Sequence, residues 1–71
     1  MQWRDRIEVN PEVLVGKPVV KGTRLAVEFV LELVASGMTE QQILDNYPRL
    51  VREDILACVA YAAEFVRSER V

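Results

Sequence analysis

The sequence has no histidine and only one cysteine, Cys58, and both shortages restrict its chemistry. Without a second thiol the chain cannot close an internal disulfide, and without imidazole it offers too few ligands for a structural zinc site. It cannot form the Ser–His or Cys–His pair of a hydrolase, and it lacks the side chain that most often acts as a base near neutral pH. We therefore expect no metal, no cofactor and no enzymatic activity.

Neither sign of charge dominates the sequence. The 11 Asp and Glu residues are scattered, mostly where a solvated helix face would place them, so they predict no catalytic carboxylate pair. With nine Lys and Arg residues the net charge is −2, whereas strong nucleic-acid-binding proteins are usually basic. Electrostatics alone therefore gives no case for strong binding of nucleic acid.

Long apolar runs are also missing. No stretch approaches the roughly 20 residues needed to span a bilayer, and residues 1–6 lack the apolar segment of a signal peptide. We expect a cytoplasmic protein with no membrane contact, which agrees with the unpaired Cys58. The 71 residues allow a single domain, and a domain this small is marginally stable alone, which favours a partner.

Residues 1–26 are predicted to form turns and short strands. Alternating or β-branched segments favour a small ribbon of three strands, at 7–9, 19–21 and 24–27. Turn-forming residues separate these segments, among them Pro11, Gly16 and Gly22. Strands this short are marginal unless they pack on helices or on another chain.

Residues 27–71 are predicted to form three helices, at 28–35, 39–46 and 52–67. Apolar residues at helical spacing define the first helix. Thr39 and Gln42 have the spacing of a capping box at the start of the second, and Pro48 limits its end. The expected fold class is therefore mainly α, with a short N-terminal β ribbon.

The third helix carries no charged residue from position 55 to position 63. Its apolar residues fall on two nearly opposite faces, one formed by Ile55, Val59, Ala62 and Val66 and the other by Cys58, Tyr61 and Phe65. A helix that is apolar on all sides must be buried on all sides, and 71 residues provide too little protein for that. We expect a second chain to cover this helix, with Cys58, Tyr61 and Phe65 in the contact.

The N-terminal residues Trp3, Arg4 and Arg6 are further candidates for partner binding. A tryptophan near a terminus often anchors an interface, but Trp3 could equally cap the core of its own domain. The sequence leaves both interpretations open.

Three helices joined by tight turns have the order of a helix-turn-helix domain, although plain three-helix bundles share this order. In a helix-turn-helix domain the third helix would enter the major groove of DNA. Arg49 and Arg52 stand at its start, but the adjacent Glu53 and Asp54 would repel phosphates. Direct reading of DNA is therefore a weaker hypothesis than a protein contact.

Lys17, Lys21 and Arg24 lie among the turns of the predicted ribbon. They could contact an anion, either a DNA phosphate or an acidic pocket of a partner, or they could simply be solvated. With Arg49 and Arg52 they complete the set of candidate DNA-contacting residues.

Residues 10–24 read Asn-Pro-Glu-Val-Leu-Val-Gly-Lys-Pro-Val-Val-Lys-Gly-Thr-Arg. Together with residues 35–39 and 45–48, this segment resembles a family of short bacterial and archaeal proteins. The family was first classified as a domain of unknown function and is described as VapB-like antitoxins, often encoded beside a PIN-like ribonuclease toxin. The resemblance covers about residues 7–66, and its Gly-Lys-Pro-x-x-x-Gly-Thr-Arg segment is specific.

The resemblance implies a homeodomain-like three-helix core, binding of a PIN-like toxin and, by analogy, repression of the protein's own operon. The leading hypothesis is thus an antitoxin, and the alternative is a homodimeric helix-turn-helix regulator. The partner would be the toxin, a second copy of the chain or operator DNA. Three positions depart from the family: Val15 replaces a frequent glycine, Ala26 a frequent proline and Val51 a frequent Ser or Thr cap.

Overall fold

The structure, a computed structural model, describes residues 2–12 and 14–68. The predicted ranges 1–26 and 27–71 also include Met1, Val13 and residues 69–71, which lie outside the described residues. The elements in chain order are a 3₁₀ turn at Trp3–Asp5, strand β1 at Ile7–Val9, a 3₁₀ turn at Leu14–Gly16, strand β2 at Pro18–Val20, and helices α1 at Val27–Ala35, α2 at Glu40–Asn46 and α3 at Arg52–Ser68. The prediction of a mainly α chain with three helices and a short β ribbon is confirmed.

The ribbon has two strands rather than the predicted three. β1 and β2 pair antiparallel, but of residues 24–27 only Ala26 bridges to β2, and Val27 already begins α1. The chain turns tightly just before this point, where the Thr23 hydroxyl donates to the Val20 carbonyl at 2.8 Å. The prediction of a strand at 24–27 is therefore wrong, because a turn held by a side chain leads almost directly into a helix.

The core lies between the ribbon and the helices. Its buried residues are Ile7, Val20, Val27, Val30, Ile43, Leu50, Ile55, Ala57 and Cys58. Burial raises the pKa of the Cys58 thiol to about 12, with a smaller contribution from the nearby Asp54 carboxylate. The chain thus buries Ile55, Ala57 and Cys58 of α3 by itself, whereas Val59 on the same helix is 43% exposed. Coverage of the rest of α3 by a second chain stays a prediction.

Helices α2 and α3 begin differently. The predicted capping box of α2 is confirmed, since the Thr39 hydroxyl accepts the Gln42 N–H at 3.1 Å and the Gln42 side chain accepts the Thr39 N–H at 2.8 Å. Val51, the residue before α3, has no side-chain acceptor, but its N–H donates to the Asp54 carboxylate at 3.0 Å. Helix α3 therefore begins with one half of a capping box.

Candidate interaction surfaces

The N-terminal residues are fixed against α3. The Trp3 indole N–H donates to Glu64 Oε2 at 2.7 Å, and the Trp3 ring meets Tyr61 edge to face with centroids 4.8 Å apart. Arg4 lies over the Trp3 ring and donates to Glu64 Oε1 at 3.3 Å. The hydrogen bond from Trp3, helped by the charge of Arg4, holds the pKa of Glu64 below its usual value. In this fold Trp3 therefore packs on its own domain.

Arg6 is also held by α3. Its guanidinium Nη1 donates to Asp54 Oδ1 at 3.0 Å, and the Asp54 side chain is only 10% exposed. The same carboxylate accepts the Val51 N–H, so one buried acid joins the N-terminal segment to the start of α3. Arg4 and Arg6 are thus engaged within the chain.

A groove of about 380 Å³ separates α1 from the second half of α3. Its apolar walls are Val27 and Leu31 from α1 and Tyr61, Ala62 and Phe65 from α3. The Phe65 and Val66 residues are 66% and 69% exposed, so α3 presents large apolar side chains to solvent here. We call the space between these walls the α1/α3 groove; Val66 follows Phe65 on α3 and does not line it.

Cys58 does not reach this groove, although the sequence places it on one helix face with Tyr61 and Phe65. It has no exposed surface, because its part of α3 is still covered by the body of the domain. Phe65 lies about two turns further on, where that cover ends. Cys58 therefore contributes to the core and not to the α1/α3 groove.

A second surface lies between the turn that follows β2 and the turn that precedes α3. Glu8, Gly22, Thr23, Arg24 and Arg49 line a cleft of about 510 Å³ there, and we call it the arginine cleft. The Arg49 guanidinium donates to the Gly22 carbonyl at 3.1 Å, which joins the two turns. Two arginines far apart in sequence are thus brought to one place.

The five cationic candidates for DNA contact do not share one surface. Lys17 pairs with Glu28 at the edge of the α1/α3 groove, and this hydrogen bond raises the pKa of Lys17. Arg52 pairs with Glu40 at 3.1 Å. Arg24 and Arg49 line the arginine cleft, and the exposed Lys21 adjoins it in sequence. The structure therefore brings only Arg24 and Arg49 of the five together, in the arginine cleft.

Sequence reasoning missed Leu31, Glu8 and Tyr47 as surface residues. The spacing of Leu31 is that of any core position on an amphipathic helix. Glu8 lines the arginine cleft, and Tyr47 lines a depression beside it. Glu8 lies in β1 and Tyr47 at the end of α2, and no local sequence pattern shows that the fold brings both beside the turn at 22–24.

Residues 2–12 and 14–68 contain neither a metal-binding cluster nor a membrane-spanning helix. Within these ranges, no group of three Asp, Glu or Cys side chains is arranged to hold a metal ion. No helix in the same ranges combines the length and the apolar character needed to cross a membrane.

Residues 7–62 match the model of a family described as "Protein of unknown function (DUF433)". The chain is 37% identical over 59 residues to uncharacterized protein y4eO of Sinorhizobium fredii (strain NBRC 101917 / NGR234), covering 83% of this chain but 27% of that protein. It is also similar to the crystal structure of a DUF433 member protein from Anabaena variabilis ATCC 29413, with a TM-score of 0.80 and 28% identity, over 86% of this chain and 60% of that one. The chain thus spans about a quarter of the first relative's length and just under two thirds of the second's, and it belongs to the DUF433 family.

Proposed function

We propose that this chain is an antitoxin module that binds a PIN-like ribonuclease toxin and neutralises it by contact, without catalysing a reaction. The observation that carries the proposal is the exposure of Phe65 and Val66 beside the α1/α3 groove. Clustered apolar side chains on the surface of a small domain favour a protein partner. The resemblance of residues 10–24 to VapB-like antitoxins supplies the class of that partner.

The walls of the α1/α3 groove suit a protein segment rather than a small polar ligand. Two helices supply the apolar side chains, with the aromatic rings of Tyr61 and Phe65 on one wall and Leu31 on the other. The Lys17–Glu28 ion pair lies at the edge, where a polar rim would surround an apolar contact. Covering the toxin's RNA channel with this part of α3 is one mechanism of inhibition.

A second mechanism uses a basic side chain. PIN-type active sites gather carboxylates around Mg²⁺, so an inserted cation could pair with them and displace the metal. The sequence offers Arg4, Arg6, Lys21 and Arg24 for this role. Arg4 and Arg6 are already paired with α3, whereas Lys21 and Arg24 form no ion pair within residues 2–12 and 14–68. This difference supports Lys21 and Arg24 over the two N-terminal arginines.

The alternative function is a homodimeric regulator with a homeodomain-like helix-turn-helix core. In its favour, α2, the turn at 47–51 and α3 follow in the required order, and the exposed Arg49 lies in that turn. Against it, Arg52 is paired with Glu40 at the start of α3. Because little positive charge is left for phosphates at this helix end, we rank the regulator second.

Co-expression with the toxin encoded beside this gene tests the proposal. The wild type should restore growth and co-purify with the toxin, whereas Phe65→Asp should do neither, because a charge would have to be buried in an apolar contact. Val9→Asp is the matched control, since Val9 is 60% exposed but lies on β1, outside the α1/α3 groove. If the wild type neither rescues nor co-purifies, the antitoxin proposal is wrong and the regulator becomes the better candidate.

A further inference from the structure

Four of the eight Lys and Arg side chains in the described residues form an ion pair with a specific acid, and those near the arginine cleft do not. The ion pairs join Arg4 to Glu64, Arg6 to Asp54, Lys17 to Glu28 and Arg52 to Glu40. Within residues 2–12 and 14–68, no carboxylate forms an ion pair with Lys21, Arg24 or Arg49. Two arginines that line one cleft without an ion pair to its carboxylate, Glu8, indicate a site for an anion.

The geometry of the turns fixes part of this site in advance. Gly22 adopts a φ of +79°, which glycine tolerates, and its carbonyl accepts a hydrogen bond from Arg49. A guanidinium has five N–H donors, so the Arg49 side chain is held by one and keeps the others for a ligand. Arg24 lines the same cleft, and two guanidinium groups can together bind the oxygens of one phosphate.

A second depression, of about 240 Å³, adjoins the arginine cleft and shares Thr23, Arg24 and Arg49 with it. Tyr47 and Pro48 also line it. The Tyr47 ring is supported by an edge-to-face contact with Phe29, with centroids 5.5 Å apart. Aromatic and apolar side chains next to cations are the surfaces on which unpaired bases pack.

We propose that the arginine cleft and this depression together bind one nucleotide of a single-stranded nucleic acid. The phosphate lies between Arg24 and Arg49, and the base packs against Tyr47 and Pro48. A base inside a duplex is stacked between its neighbours and cannot enter the depression. Glu8, which also lines the cleft, opposes the phosphate and keeps the affinity low. The proposal does not rest on the toxin contact made by the α1/α3 groove, because it uses no residue of that groove. It shares Lys21 and Arg24 only with the second, cationic mechanism of inhibition.

Fluorescence anisotropy with labelled oligonucleotides at about 50 mM salt tests this binding, since phosphate contacts are strongest at low salt. The full chain should bind a single strand more tightly than a duplex of the same length. It should bind an abasic strand, which keeps the phosphates but has no base, more weakly than the intact single strand. One phosphate held by Arg24 and Arg49, and a neighbouring one within reach of Lys21, should give a slope of roughly −0.7 to −1.4 for the logarithm of affinity against the logarithm of salt concentration.

Substitutions separate this site from general electrostatic attraction. Arg24→Ala with Arg49→Ala should weaken binding about tenfold or more, since two charge-assisted contacts are lost. Arg52→Ala removes the same charge from an exposed arginine elsewhere and should change the affinity by less than about twofold. Glu8→Gln should strengthen binding, and circular dichroism verifies that each variant is folded.

Three results would overturn the proposal. One is a wild type that binds no single strand at low salt, and another is a double variant that binds as well as Arg52→Ala. The third is equal binding of abasic, duplex and single-stranded probes, which would mean that phosphates are contacted without a base. None of these results bears on rescue of growth through the α1/α3 groove, which Phe65→Asp tests separately.

Discussion

Val15 has a left-handed backbone conformation that β-branched residues rarely adopt. Its φ is +56° and its ψ is +37°, within a turn where Leu14 and Gly16 also have positive φ. The residue is 95% exposed, so packing does not compensate for the strain. The resemblance to VapB-like antitoxins already marks this position as one where glycine is frequent, and the backbone supplies the physical reason.

Val15→Gly should therefore raise the free energy of unfolding by about 1 kcal/mol, because glycine adopts this conformation without steric strain. Urea denaturation measures the change. Val9→Gly is the control, since Val9 is also exposed but lies in β1, where glycine should destabilise by about 0.5–1 kcal/mol. If both variants lose stability, the strain at Val15 is not relieved by glycine.

The ionisation of Glu64 should affect the stability of the fold in acid. Its folded-state pKa lies below the usual value because Trp3 donates a hydrogen bond to the charged carboxylate, with help from Arg4. A depressed folded-state pKa stabilises the fold above the unfolded pKa, and this contribution is lost as the pH falls through the folded pKa.

Glu64→Gln keeps an acceptor for Trp3 but removes the titration. The wild type should therefore unfold at a higher temperature than Glu64→Gln at neutral pH, and the difference should shrink towards zero on acidification. Melting curves at a series of pH values measure it, with Glu12→Gln as a control for an exposed glutamate without an ion pair in the described residues. A difference that stays constant or grows in acid would contradict this account of Glu64.

At the scale of elements, local sequence signals predicted the helices well and the packing poorly. The Thr39 capping box and Pro48 give the bounds of α2 because they act within a few residues. The strand predicted at 24–27 fails because the Thr23 turn and the start of α1 override a weak β propensity. The sequence could not show which residues of α3 are buried, because their burial depends on where α1 and the ribbon end in space.

The start of α3 yields a prediction at this scale. Val51→Thr would add a hydroxyl that can accept the Asp54 N–H, which already donates to the Val51 carbonyl at 2.9 Å, and would complete the capping box with the Asp54 carboxylate. Because this N–H already has a partner, the free energy of unfolding should rise by only about 0.5 kcal/mol, measured by urea denaturation. Val51→Ala cannot accept a hydrogen bond and serves as the control. Equal stability of the threonine and alanine variants would show that the existing half box already satisfies this helix end.

At the scale of the whole molecule, the candidate surfaces arise from contacts that are distant in sequence. Arg4 and Arg6 look like a cationic tail in the sequence, yet they pair with Glu64 and Asp54, 60 and 48 residues away. Arg24 and Arg49, by contrast, meet at one cleft without an acid bound to either in the described residues. The sequence could therefore identify these arginines as candidates for binding a partner. Only the fold shows which of them form ion pairs within the chain and which do not.

The central proposal is that the end of α3 and the α1/α3 groove bind a ribonuclease toxin and suppress it. The most direct measurement is cleavage of an RNA substrate by the proposed toxin, purified as the product of the neighbouring gene and titrated with this chain. We predict stoichiometric loss of cleavage with the wild type and with Val9→Asp, and little inhibition with Phe65→Asp. Undiminished cleavage with a large excess of the folded wild-type chain would contradict the claim.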